Sequence, residues 1–429
     1  MRRTNLFYSV SLSIAILLSG CSVQPAQEVM IKGEAASPQA EWDKASRILM
    51  HTPGMELFNG VVNPAAGLFE YYFDVDSAAA EHRGYIAAIE AQGIEVVTVQ
   101  EILEEAPIEL LRNYVAGVLE YNIDNMPNAN AEEMEAYRMD VIAQMSRNDL
   151  IRCMLLHPSV ILHETANNTG VGATYEQTPM MNLYFMRDQS INTPRGLIMC
   201  NMNSKQRASE TQLVKFCYDQ LGIEPIVTLD SCARLEGGDY IPAGNQSFIG
   251  CGMRTNIEAI NQIMAADGFG HNTVAVVKDR KWWQMQMHLD TYFNIIDRDL
   301  CTLTQSRFEA QEGDPEWVTV DIYSRENEGD AYTLTRQDVP FVAYLQECGY
   351  TIIPISFDDE MHYANNFLTI APRHILAVGG QSEALQATLA EHNVTVEWIP
   401  LENLIKGYGA AHCMTQVLER VVPVEETEE

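Results

Sequence analysis

One pattern recurs five times along this chain: an amphipathic helix, a turn, and a β-branched strand. The copies are DSAAAEHRGYIAAIEAQGIEVVTV (76–99), SETQLVKFCYDQLGIEPIVTL (209–229), NIEAINQIMAADGFGHNTVAVVK (256–278), DVPFVAYLQECGYTIIPIS (338–356) and SEALQATLAEHNVTVEWIPL (382–401). Gly or Asn stands near each helix end, where a left-handed residue caps the last turn. A Val/Ile-rich run of strand length follows. Helix then strand, repeated, predicts an α/β fold. Irregular intervals with loops between the copies favour radial repetition over a solenoid. The 429 residues suffice for one large fold of this kind, or for two to three domains, without disulfide or metal staples.

The pattern breaks between residues 100 and 155. PIELLRNYVAGVLEYNID (107–124) and AEEMEAYRMDVIAQMSRNDLIRCML (131–155) carry apolar residues at three- and four-residue spacing with no strand signal, which predicts an inserted helical subdomain. The expected organisation is therefore a leader over 1–20, a tether over 21–41, the first repeat within 42–99, the helical insertion over 100–155, the remaining repeats within 156–420, and a frayed acidic tail (VVPVEETEE) over 421–429.

The leader begins with Arg2 and Arg3, continues through the mostly apolar Leu6–Leu18, and ends Leu18-Ser19-Gly20-Cys21. Thirteen residues are too few to cross a bilayer, for which ~20 are needed. Small residues before a cysteine resemble the lipobox of bacterial lipoproteins. That resemblance implies cleavage before Cys21 and acylation of its thiol and amine, with each buried CH₂ contributing ~0.8 kcal/mol. Ser22 in place of Asp implies sorting to the outer membrane of a Gram-negative cell. The alternative is an ordinary signal peptide cut elsewhere. Residues 22–41 are small, polar and Pro-containing, as a tether would be.

Charge narrows the partners. Lys and Arg number 27 against 59 Asp and Glu, a formal charge of −32, and loss of Arg2 and Arg3 would deepen it. Such a surface repels phosphate backbones, so no nucleic acid is expected, and it steers cationic small molecules inward. Membrane contact through basic patches is equally unexpected. Eight cysteines follow Cys21, at 153, 200, 217, 232, 251, 301, 348 and 413. None sits in a zinc-type or C-x-x-C spacing. An even count outside the cytosol permits disulfides but selects no pairs.

Four segments carry candidate chemistry. In KWWQMQMHLDTYF (281–293) strand alternation would place Gln284, Gln286, His288 and Asp290 on one face, ~6.8 Å apart. That pairs a general acid/base with an anionic clamp; a strand with a solvated polar face is the other reading. In CARLEGGDYIPAG (232–244), Glu236 and Asp239 flank Gly237-Gly238, a turn where backbone approaches a ligand closely, or a plain acidic surface turn. PMMNLYFMRDQS (179–190) reads as a short strand ending in Arg187-Asp188, for which an ion pair closing the strand is the simpler account. In IKGYGAAHCMTQ (405–416), glycines and alanines precede His412-Cys413, leaving space beside a thiol able to act as a nucleophile. A buried inert cysteine is the alternative.

Together these segments resemble the arginine deiminase family of the guanidine-modifying (pentein) superfamily. The matching pieces are RILMHTPGMEL (47–57), NLYFMRD (182–188), LEGGD (235–239), Arg254-Thr255, MHLDT (287–291), NNFLTIAP (365–372) and GYGAAHCM (407–414). The resemblance covers nearly all of 42–420 and implies a five-bladed α/β propeller with a helical insertion. It also implies roles: Cys413 as the nucleophile on the guanidinium carbon, His288 as general acid/base, Asp188 and Asp290 as the guanidinium clamp, and Glu236 as the acid behind the histidine. Asp239 joins the pocket. Asn182, Arg254 and more loosely Arg207 match positions holding the amino-acid end of the substrate, and Phe185 matches a packing residue near the guanidinium. The family keeps Gly-Arg-Gly where this chain has Gly407-Tyr408-Gly409, so a carboxylate contact is replaced by a neutral phenol.

The implied activity is hydrolysis of a cationic guanidine substrate, L-arginine, to citrulline and ammonia through a covalent thiouronium. It needs no cofactor and no metal. The protein would be lipid-anchored in the cell envelope, and a homo-oligomer is allowed. The rivals are a related pentein acting on peptidyl-arginine, agmatine, a methylarginine or by amidino transfer, and a non-catalytic envelope binding lipoprotein. The joint presence of nucleophile, acid/base and clamp argues against the last.

Overall fold

Each helix–turn–strand copy turns out to be the second half of a larger unit, in which a tight β-hairpin precedes the helix and the strand after the helix lies parallel to the hairpin's second strand. The structure is a computed structural model and describes residues 33–166 and 169–423. Parallel pairing needs a long crossover, which the helix supplies. Blade three is the plainest case. Tyr240–Pro242 pairs antiparallel with Gln246–Cys251, helix Ile257–Ala265 crosses over, and Thr273–Lys278 returns parallel to Gln246–Cys251. Blade four repeats this with Phe293–Asp297, Leu300–Thr304, helix Phe341–Glu347 and Thr351–Ile355. Blade five does so with Leu368–Ala371, His374–Val378, helix Glu383–Glu391 and Thr395–Ile399.

Blade two is reduced. Ser190–Thr193 and Gly196–Met199 form the hairpin and Ala208–Leu221 the helix, but the expected third strand is a single parallel bridge of Val227 to Ile198. Blade one is made from both ends of the fold. Gln416–Pro423 pairs antiparallel with Lys44–Met50, helix Val75–Glu90 follows, and Glu95–Thr98 lies parallel to Lys44–Met50. The result is the five-bladed α/β propeller. Asp74, Asn256 and Ser382 cap three of the helices by accepting backbone N–H groups. Gly93, Gly222, Gly349 and Asn393 take left-handed conformations just past four helix ends, with Asp267 at the fifth.

Three boundaries differ from the sequence expectation. Residues 33–41, expected as the end of a tether, belong to the fold: Gly33–Ala36 adds an edge strand to Gln416–Pro423, Ala40 bridges Ala243, and Glu41 is buried. The same pairing makes residues 421–423 strand rather than frayed tail. The insertion is not all helical and runs past residue 155. Helices Ile108–Val118, Ala131–Gln144 and Arg147–Leu156 accompany a three-stranded sheet of Glu120–Asn125, Pro158–Glu164 and Val171–Gln177. Its first strand, EYNIDN, is half-exposed without regular alternation, so it leaves no period-2 signature. The leader, Cys21, the tether through Lys32 and residues 424–429 lie outside the described residues. The eight later cysteines are all free thiols.

The cores run between blades. Phe248, Phe293 and Phe341 meet edge-to-face, with ring centroids 5.4, 5.1 and 6.2 Å apart. Such pairs contribute about 0.5–1.5 kcal/mol each beyond area burial. They lock blade three to blade four in a core that also takes in Leu289 and Tyr292 of the short helix Leu289–Tyr292.

Candidate active site

The candidate residues come from four separate stretches, and each is placed by a local irregularity rather than by a regular strand. Cys413 follows a single 3₁₀ turn, Leu404–Gly407, a left-handed Tyr408 (φ +66°), and Gly409-Ala410-Ala411. The small residues are sterically required. A Cβ on Gly409 would lie 3.0 Å from Cys413 Sγ and 2.7 Å from the Phe185 ring, and one on Gly407 would lie 1.9 Å from Tyr184 Oη. At the second stretch Gly237–Asp239 forms a 3₁₀ turn against the imidazole, where a Cβ on Gly238 would sit 2.6 Å from His288 Nδ1. Both glycine pairs therefore hold backbone close to the site.

Two expected strands are absent. Residues 281–293 form a 3₁₀ turn (Gln284–Gln286) and the helix Leu289–Tyr292, with the strand starting only at Phe293. His288 and Asp290 reach the site because the chain turns between them, not because a pleat aligns them. The 179–190 stretch is a run of turns up to the strand at Ser190. There Arg187 does not pair with Asp188. Its Nε donates to the His412 carbonyl (3.3 Å), and its own N–H donates to the Cys413 carbonyl (3.0 Å).

The turns bring Cys413, His288, Asp188, Asp290, Glu236 and Asp239 into one buried cluster. His288 Nε2 donates to Glu236 Oε2 (2.8 Å), and Nδ1 lies 3.6 Å from Asp188 Oδ1. Asp239 Oδ1 accepts the Leu289 N–H (3.0 Å). The Cys413 thiol faces Asp290 Oδ2 at 3.5 Å. Asp188 Oδ1, Asp290 Oδ1, Asp239 Oδ2 and His288 Nδ1 are all buried with no hydrogen-bond partner. Unpaired buried carboxylate oxygens are costly. A planar cation carrying several N–H donors is the ligand that satisfies them.

Charges within the cluster set its protonation. Burial opposes the charge on His288, but Asp188, Glu236 and Asp239 outweigh it and push the imidazole up to about 9. Glu236 loses to burial and gains more from His288, Arg254 and Arg207, so it falls to about 2. Burial raises Asp239 to about 6. Asp290 is lowered, since against burial it holds His412. Burial, with Asp290 and Asp188 adding to it, pushes the Cys413 thiol up. At neutral pH the site holds an imidazolium, ionised Glu236 and Asp290, and a neutral thiol. The ligand atoms of Asp188, Glu236 and His288 lie within 4.8 Å of one another, a spacing a metal ion also accepts. Metal binding requires a neutral imidazole, and the proton on His288 competes with it.

The residues assigned to the substrate's far end fare unevenly. Arg207, expected at a carboxylate of the substrate, is instead locked inside the protein: it donates to Asp188 Oδ2 (2.6 Å), to both Glu210 oxygens, and to the Asn182 carbonyl. Asn182 bonds the Gly67 carbonyl and Gln206. Arg254 lies 3.7 Å from Glu236 and donates to Gln284 (3.1 Å). Phe185 packs against Gly407 and Gly409 beside the thiol. Tyr408 is half-buried against the same apolar cluster.

Sequence reasoning missed a second tier. His412 Nδ1 donates to Asp290 Oδ2 (2.7 Å), His412 Nε2 lies 3.4 Å from Glu41, and Glu41 accepts from Arg420 (2.6 Å). His412 was visible beside Cys413, but its partners lie far away in sequence.

A family model described as arginine deiminase matches residues 66–420. The arginine deiminase of Halobacterium salinarum (strain ATCC 29341 / DSM 671 / R1) is 26% identical over 481 aligned positions, covering 89% of this chain and 96% of that one. That of Metamycoplasma arthritidis (strain 158L3-1) is 24% identical, again covering 89% and 96%. Among solved structures, a mutant of DDAH from Pseudomonas aeruginosa complexed with citrulline superposes with a TM-score of 0.51 at 14% identity, covering 87% and 98% of the two chains. The product-bound N-terminal domain of ArgZ, an arginine dihydrolase from Cyanobacteria, gives 0.53 at 15%, covering 87% and 97%. At these identities the structural likeness speaks for the fold.

Proposed function

This chain belongs to the arginine deiminase family, and from that membership and the cluster around Cys413 we propose that it hydrolyses L-arginine to L-citrulline and ammonia. The observation that carries the reading is the set of buried, unpartnered carboxylate oxygens on Asp188 and Asp290 beside a cysteine thiol. A guanidinium gripped by both carboxylates presents its carbon to Sγ. Binding also changes the thiol. Its pKa is raised partly by Asp290 and Asp188, so a cation placed on those carboxylates cancels the repulsion and favours the thiolate. Sγ then bonds to the guanidinium carbon. The C–N bond to one terminal nitrogen breaks as His288 gives that nitrogen a proton, and ammonia leaves. The remaining S-alkylthiouronium is attacked by water, whose proton returns to His288, and the C–S bond breaks to release citrulline.

The test is citrulline release from L-arginine by the purified protein, with an acid quench to trap an adduct on the peptide containing Cys413. No citrulline and no adduct would reject the reading. Its pH dependence follows from His288. The imidazolium is needed for ammonia loss, so with arginine bound and the thiolate formed, kcat falls as pH rises through the imidazolium's raised range. The same group links to stability. Its folded value lies above the ordinary 6.5, so its contribution is complete below that value and is lost as pH rises through about 9.

A second reading concerns the far end. Arg207 is committed to Asp188 and Glu210, and Tyr408 offers only a phenol. This favours a guanidine without a free carboxylate, such as agmatine or an arginyl peptide. Including both in the citrulline assay separates the readings: a kcat/KM for L-arginine well above theirs excludes the second.

The lipidated location rests on the leader alone. Arg2, Arg3, the apolar Leu6–Leu18 and Leu-Ser-Gly-Cys support acylation of Cys21 and anchorage in the cell envelope, facing the periplasm or at the outer membrane. No helix among the described residues is long and apolar enough to cross a membrane. Wild-type protein should fractionate with membranes and take up labelled palmitate, and Cys21→Ala should lose both. Retention of Met1 in an unlabelled wild-type chain would rule the anchor out.

A further inference from the structure

The nucleophile's turn is held by one residue just before blade five. We propose that Asn366 is a positioning residue of the hydrolysis, setting the aim of Cys413; the inference rests on the reaction assigned to this site above. Asn366 is fully buried. Its Oδ1 accepts two backbone N–H groups of the turn, from Ala410 (2.8 Å) and from Cys413 itself (3.1 Å). Its Nδ2 donates to the main-chain carbonyl of Asp290 (3.1 Å), and its own carbonyl accepts the His412 N–H (3.0 Å). Among the described residues, this residue alone receives three of the four N–H groups of residues 410–413.

The amide's orientation is fixed by its partners. Two N–H donors demand the oxygen and a carbonyl demands the NH₂, so the opposite flip would set donor against donor and acceptor against acceptor. Aspartate keeps the acceptor but meets the Asp290 carbonyl with a second oxygen. Alanine keeps neither. The staple therefore joins the nucleophile, which comes from the C-terminal stretch, to Asp290 of the guanidinium clamp, which comes from the 281–293 turn, as one unit. That unit has work to do in the reaction. Sγ passes from thiolate to thioether and back while the guanidinium stays fixed on Asp188 and Asp290, and an ångström of misplacement can cost about 10²-fold. The Asn366 amide also favours the thiolate, against burial and the two carboxylates that oppose it.

The test uses the full-length protein and three readouts: steady-state kinetics on L-arginine, thermal midpoint, and the pH dependence of iodoacetamide alkylation read on the peptide containing Cys413. Asn366→Asp retains the two N–H contacts, so it should fold. Its kcat should fall about 10²-fold with KM near wild type, and the alkylation midpoint should rise by about one unit. Asn366→Ala should show the same fall in kcat, and it decides the question should the aspartate variant not fold. Near-wild-type kcat with an unmoved alkylation midpoint would overturn the proposal. So would a drop in thermal midpoint and kcat together with no change in alkylation, which is the mark of a purely structural role. Alkylation needs no substrate, so a wild-type protein that made no citrulline would reject the functional reading and leave this measurement standing.

Discussion

Cys413→Ala should yield a folded protein that binds L-arginine and releases no citrulline. Removing the nucleophile of a covalent mechanism lowers kcat by about 10⁶-fold, and nothing near the site substitutes for it. Asp188 and Asp290 are occupied by the substrate cation in this reading, Glu236 is held by His288, and His288 is protonated at neutral pH. Hydroxide from solvent would have to enter a cluster whose members are all nearly fully buried. The fold should tolerate the change. One sulfur is lost from a packed turn, worth about 1 kcal/mol, which in a chain of this size moves the thermal midpoint by a few degrees at most. The backbone contacts of Cys413 to Asn366 and Arg187 are untouched. Calorimetric binding of arginine alongside a citrulline assay checks both halves. Citrulline released at anything near the wild-type rate would remove Cys413 from the mechanism.

The parts of this molecule that depend on local period were legible in its sequence, and those that depend on distant contacts were not. Helices such as Ile257–Ala265 and Val75–Glu90 announce themselves by spacing and caps, and the strands after them by β-branched runs. The hairpins before the helices do not. Phe293–Asp297 and Leu300–Thr304 are buried at every position, so no alternation marks them. The 281–293 segment misleads for the opposite reason. Trp283, Met285, Met287 and Leu289 alternate with polar residues, yet the chain coils there, because tertiary contacts override a short period. Arg307 donates to Gln286 and stacks over Tyr292, and Asn366 grips the Asp290 carbonyl. At the site, the glycines before Cys413 read as ligand space beside the thiol, whereas in the structure the Tyr184 and Phe185 rings pack directly against Gly407 and Gly409. The commitments of Arg207 to Asp188, of His412 to Asp290, and of Glu41 to Arg420 join residues 19, 122 and 379 positions apart in the chain. No spacing rule reaches that far. Glu41 in particular was assigned to a tether on composition, although it is a buried anion.

Asp290→Asn should produce two effects of opposite sign on the same cysteine. Asp290 Oδ2 accepts from His412 Nδ1 at 2.7 Å, while Oδ1 is unpartnered. In the isosteric asparagine, His412 claims the amide oxygen, because Nδ1 needs an acceptor. The NH₂ is thereby turned to where Oδ1 stood, and a bound guanidinium meets a donor in place of an anion. Losing one preorganised charge from a water-excluded site costs about 10²–10³-fold in turnover, and here the replacement dipole also opposes the substrate. The free thiol responds the other way. Asp290 is the largest source, after burial, of the rise in the Cys413 pKa, so neutralising it makes the thiol more acidic. Iodoacetamide should then alkylate Cys413 faster at neutral pH in Asp290→Asn than in wild type, while kcat/KM for arginine collapses. A variant that was merely misfolded would expose every cysteine and lose its unfolding transition, whereas this one should keep the transition and gain reactivity at Cys413 alone. If alkylation is no faster and kcat/KM stays within an order of magnitude of wild type, Asp290 neither restrains the thiol nor grips the guanidinium, and the clamp must lie elsewhere.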